Sequence, residues 1–160
     1  MNDSNIYEEK VYEEIINNYY KYSEENENKR KILLSNLMDI DTIKFFIMLI
    51  NKKEDNIFKY FLNQFAFEDN NIYIQTFWHC IKTSNIDIIQ YFLQNNYIDI
   101  EDCKDDCNNS PLMLSVLYGH LLLSKVFISY CPILINVKNK VNTIRLIIII
   151  NNFYSIIYCL

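Results

Sequence analysis

Three stretches of this chain repeat one another, and that recurrence constrains the fold more than any other feature. They are "QTFWHCIKTSNIDIIQYFLQNNYIDI" (residues 75–100), "SPLMLSVLYGHLLLSKVFISYCPILIN" (residues 110–136) and "TIRLIIIINNFYSIIYCL" (residues 143–160). Alignment brings Ser84-Asn85, Gly119-His120 and Asn152-Phe153 to one position, at spacings of 35 and 33 residues. The longer spacing is absorbed in the polar connection "EDCKDDCNN", where lengthening a loop costs little. Each segment reads as a short helix, a two-residue turn, a second helix and a polar connector. Self-similarity at this period marks a stacked architecture in which no unit can bury its apolar face alone.

The middle segment shows why its ends fall where they do. Ser110 is a good N-cap, because its hydroxyl can accept from a free N–H of the first turn. Pro111 then occupies the first helical position, where its missing N–H costs nothing and its fixed φ is already helical. Gly119, the only glycine of the chain, can stop the helix in left-handed backbone without a Cβ penalty. Asn152 fills that place in the third segment, and Ser84 is a weaker substitute in the first.

These residues resemble the ankyrin repeat. The likeness rests on Ser110-Pro111-Leu112, the small pair Ser115-Val116, the Gly119-His120 turn and the apolar Val126-Phe127-Ile128, with Asp105 where the family's connector carries its Asp. Met113 departs from the family's His after Pro-Leu, so that residue's hydrogen bonds between neighbouring repeats are absent. Cys80 takes a small-residue position, and the third segment has Ile144 for Pro and isoleucines for Ala. The resemblance is strong over residues 75–160, moderate over 30–74 and absent over 1–28. It implies an all-α ankyrin-repeat solenoid, and a structural role in the turn for His120.

Upstream of the repeats, Tyr7, Val11, Ile15 and Tyr19 recur four apart with Tyr12, Ile16 and Tyr20 alongside, while Glu8, Glu9, Glu13 and Glu14 take the other face. That pattern predicts an amphipathic helix over residues 5–22. A charged connector follows, then a short apolar helix at "ILLSNLM". A further helix starts at Asp41 or Thr42 and another at Asp55 or Asn56, each a plausible N-cap. The register here stays open. "NIFKYFLNQ" matches "DIIQYFLQN", making 42–51 and 55–65 one repeat, which we prefer. "DIDTIKFFI" matches "NIDIIQYFL" too, which would make 30–50 the repeat and 55–65 an insertion. The division expected is a helical N-terminal cap over 1–40 and repeats over 41–72, 73–107, 108–141 and an incomplete 142–160. No alternating strand pattern or long-stranded hairpin occurs.

Charge and composition narrow the function classes. The net charge is −5, with 15 basic against 20 acidic residues, and no basic stripe exists to neutralise phosphates, so no nucleic-acid partner is expected. A single glycine rules out Gly-rich phosphate loops. Five cysteines at irregular spacing form no disulfide framework, and the acidic start lacks a signal peptide, so the expected setting is the cytoplasm of the protein's own cell or of a host. His79-Cys80 with Cys103 and Cys107 could be drawn as zinc ligands, but the spacing fits no common signature. We expect no enzyme activity, metal or cofactor.

By resemblance the chain binds an unidentified partner protein through a concave groove and connector tips. The groove positions are Leu117 and Tyr118, just ahead of Gly119, with Lys82 and Thr83, Asn51 and Lys52, and Ile150 and Asn151 in the equivalent places; for Leu117 the alternative is a buried role. The connector tips are Asp106, Cys107 and Asn109, then Asn139, Lys140 and Asn142. The surplus of Ile, Asn, Lys and Tyr fits an AT-rich genome, and so a viral or bacterial protein that engages a host. Two other readings use the apolar C-terminal stretch: a truncated or vestigial array, self-associating weakly through that end, or a membrane-associated protein. At fewer than about 20 apolar residues, interrupted by Asn151-Asn152, the stretch falls short of a spanning helix.

Overall fold

The computed structural model describes residues 3–22, 41–64 and 70–137. Among the described residues the chain is all-helical, with seven α-helices, one 3₁₀ turn and no strand. The helices are α1 (Asp3–Tyr22), α2 (Thr42–Lys52), α3 (Asp55–Gln64), α4 (Asn70–Thr83), α5 (Ile86–Gln94), α6 (Pro111–Leu117) and α7 (Leu121–Tyr130), and the 3₁₀ turn is Pro132–Asn136. The apolar helix expected at "ILLSNLM" and the third repeated segment lie outside the described residues. Two compact units divide the chain, residues 1–72 and 73–160.

In the first unit α1 buries Tyr12, Ile15 and Ile16, as its pattern predicts, while Tyr20 turns out to be exposed and bonds Glu54 through its hydroxyl. Tyr12 packs on Phe45 of α2 with ring centroids 5.4 Å apart, and Tyr19 meets Tyr60 of α3 at 5.0 Å. On the acidic face, Lys44 pairs with Glu8 at 3.3 Å and Lys52 with Glu13 at 3.1 Å. These exposed pairs add little to stability. The Tyr12 hydroxyl is buried without a hydrogen-bond partner among the described residues. That burial, with Glu8 and Asp41 close by, holds its pKa above the ordinary value.

Local chemistry explains most of the helix ends. Asp41 caps α2 by accepting from the Lys44 amide at 3.1 Å. Ser110 caps α6 by accepting from Met113 at 3.3 Å, with Pro111 in the first turn. α3 begins at Asp55, one of the two starts expected, although its cap position falls at Glu54 rather than at Asp55 or Asn56. Asp55 is already helical, and the Glu54 carbonyl accepts the bond from Phe58. The Asp55 carboxylate then sits in the first turn, where it complements the helix dipole.

The joins α2–α3, α4–α5 and α6–α7 are built alike. Lys53, Ser84 and Gly119 each take left-handed backbone, with φ of 60°, 55° and 74°. Their amides bond Ile50, Ile81 and Val116, and the next amides bond Leu49, Cys80 and Ser115, the paired bonds of a Schellman cap. The middle of the second unit is apolar: Phe77 of α4 meets Phe92 of α5 at 5.7 Å and Phe127 of α7 at 6.2 Å, all three fully buried. Pro111 to Val116 are all buried, so α6 is covered on every side up to its last residue, Leu117, which is exposed.

Candidate functional site

Each of the three caps positions the residues just ahead of it. The last inward-facing side chains are Ile50, Ile81 and Val116, all buried. Each further residue turns about 100° around the helix, so the next two swing away from the core. Asn51 and Lys52, Lys82 and Thr83, and Leu117 and Tyr118 are accordingly all exposed. Leu117 is 61% exposed and Tyr118 45%, which places both outside the core.

Contacts between residues far apart in the sequence bring the second and third pairs together. The His120 Nε2–H donates to the Lys82 carbonyl over 3.0 Å, a bond that also assigns the imidazole tautomer. It ties the end of α4 to the start of α7, a link between successive hairpins made by the turn His rather than by the position Met113 occupies. The Tyr118 ring lies 5.9 Å from that of His120. Lys82, Leu117 and Tyr118 therefore border one surface. Along α4, Ile74 is exposed, and Trp78 and His79 are half-buried. Burial, and then the neighbouring Lys82, lower the His79 pKa and leave its imidazole neutral at pH 7. Ile74 and Trp78 were not anticipated, although Ile74, Trp78 and Lys82 recur four apart and so share one face.

The connector between α5 and α6 is organised by Asp105. Its Oδ1 accepts from the Cys107 amide at 2.9 Å and the Asn109 amide at 2.7 Å, and its Oδ2 from the Asn109 side-chain amide at 2.9 Å. Asp106 and Cys107 are exposed at the tip, as expected. Asn109 is not: it is buried beneath the tip, because both of its N–H groups are committed to Asp105. Cys103 is half-buried, and burial, reinforced by Asp99, pushes its thiol up to about 12. Cys80 lies in the core. Asn139, Lys140, Asn142 and Asn151 lie outside the described residues. Among the described residues no three His, Cys, Asp or Glu side chains gather as metal ligands would. None of the described helices is long and apolar enough to cross a membrane.

Comparison with protein-family models, curated proteins and solved structures returns no match for this chain.

Proposed function

We propose that the chain is a non-enzymatic protein-interaction module of ankyrin-repeat type, binding a partner protein through the surface around Lys82, Thr83, Leu117 and Tyr118 and through the connector tip at Asp106 and Cys107. One observation carries this reading: the same cap recurs at Lys53, Ser84 and Gly119, and each time leaves an exposed pair ahead of it. A helix-rich frame with buried aromatics presents such a pair with little backbone left to order, so contact loses less entropy than it would on a loop. Tyr118 is the natural anchor, since aromatic residues at the centre of a contact dominate binding. The proposed setting is the cytoplasm of its own cell or a host's, with no nucleic acid, cofactor or metal involved.

The test is capture of partners on the immobilised chain from a candidate host lysate, repeated with Tyr118→Ala and Lys82→Glu. Both residues are exposed, so circular dichroism should be unchanged. A partner held by this surface should bind Tyr118→Ala at least about tenfold more weakly, the consequence of losing an aromatic anchor. Retention unchanged by both substitutions would remove the surface from consideration.

A further inference from the structure

A second surface of the residue 73–160 unit, distinct from the one around Tyr118, has an unusual combination of an apolar floor and uncommitted polar side chains. It is an open groove of about 600 Å³ between α5 and α7. Ile86 on one side and Leu122, Val126 and Tyr130 on the other make it mostly apolar. Leu122 is 64% exposed, more than any other large apolar side chain among the described residues. The Tyr130 hydroxyl donates to the Leu93 carbonyl at 2.7 Å, which closes the floor and holds the two helices in register.

The polar side chains run along the groove in two rows. Gln90 and Gln94 lie one helical turn apart on α5, and Lys125 and Ser129 one turn apart on α7. All four are exposed, and none has a hydrogen bond or ion pair with another described residue. Four residues of a helix advance about 6 Å. Two residues of an extended chain advance about 6.7 Å, so successive outward backbone groups of a strand would meet successive side chains of a row. A carboxamide both donates and accepts, which is what an extended segment's free N–H and C=O groups need. A partner helix has no such free groups along its length, and would leave the glutamines unused. Lys125 is the only Lys, Arg, Asp or Glu among the described residues lining the groove. It calls for a carboxylate, and no acidic side chain among the described lining residues repels one.

We infer that the α5–α7 groove binds an extended peptide segment that lays an apolar side chain on Leu122 and Val126, directs a neighbouring carboxylate to Lys125 and bonds its backbone to Gln90 and Gln94. The test is selection from a displayed library of random linear peptides on the whole chain, followed by fluorescence anisotropy of the enriched sequences. Enriched peptides should pair Asp or Glu with Leu, Ile or Phe. They should lose about tenfold in affinity on Lys125→Glu, the effect of turning one attraction into a repulsion. Leu122→Asp should abolish binding, and because Leu122 is largely exposed, unchanged circular dichroism will show that the fold is kept.

Enrichment of basic peptides, of peptides that turn helical when bound, or of peptides indifferent to both substitutions would overturn the inference, as would no enrichment at all. Concentration-dependent dimers abolished by Leu122→Asp would show that a second copy fills the groove instead. Tyr118→Ala and Lys82→Glu should leave the selected peptides unaffected. If they weaken binding, the peptides sit on the other surface, and this inference fails while the proposed function stands.

Discussion

Left-handed backbone is held by Lys53, Ser84, Asn96, Asn108 and Gly119 among the described residues, so four side chains occupy a conformation that suits glycine. Asn96 closes α5 with the same paired bonds as the other caps, its amide to Leu93 and that of Tyr97 to Phe92. Asn tolerates this backbone better than most residues, whereas Lys and Ser carry a penalty of about 1 kcal/mol. Ser84→Gly should therefore raise stability by up to about 1 kcal/mol. A Cβ at Gly119 would meet nothing within 4 Å. Gly119→Ala should still lower stability by about 1 kcal/mol, through backbone strain alone. Urea denaturation of the two variants checks both. Shifts of the same sign would show that the left-handed strain is not what governs these turns.

Several elements in this chain begin where a nearby side chain takes up a free backbone group. Ser110 does this for α6, and Asp105 does it for the connector that precedes it. Removing the Asp105 carboxylate leaves the Asn109 and Cys107 amides without their acceptor, and Asn109 is buried. Asp105→Ala should cost about 2 kcal/mol, the range for hydrogen bonds to a charged group. Hydrogen exchange at those two amides should speed up more than exchange within α4. Equal protection in the variant would mean that packing, not Asp105, shapes the connector. At this scale much was legible in advance. The caps at Asp41 and Ser110, the stop at Gly119 and the exposure of Tyr118 follow from local pattern, whereas that pattern left Leu117 open between core and surface. The burial of Asn109 did not follow from it, because it depends on the fold of the Asp105 turn around it. Nor did the cap of α3, which falls at Glu54 rather than at Asp55 or Asn56.

Across each unit, stability rests on aromatic side chains that meet between helices. Phe77 is the centre of the second unit, touching rings from two other helices. Phe77→Ala should cost about 4 kcal/mol, through lost transfer energy and the cavity left behind. Against a total of about 5–15 kcal/mol for a typical domain, that loss should bring unfolding of this unit to much lower denaturant. Trp78, the one tryptophan of the chain, reports on it directly by fluorescence. A midpoint unchanged by the substitution would show that Phe77 is not the keystone its burial implies.

The amino-acid sequence by itself determined the described helices, the hairpin-and-connector pattern over residues 75–136, and residues that stop one helix and start the next. Those features depend on groups within a few positions of one another, so periodicity and capping chemistry carry them. Only the tertiary structure decided which surfaces exist. The bond from His120 to Lys82 spans 38 residues and that from Tyr130 to Leu93 spans 37. Neither leaves a signal in local composition, because each side chain meets its partner only after successive hairpins have packed. That packing brings Lys82 beside Tyr118, and it opens the groove in which Gln90, Gln94 and Lys125 have no partner among the described residues.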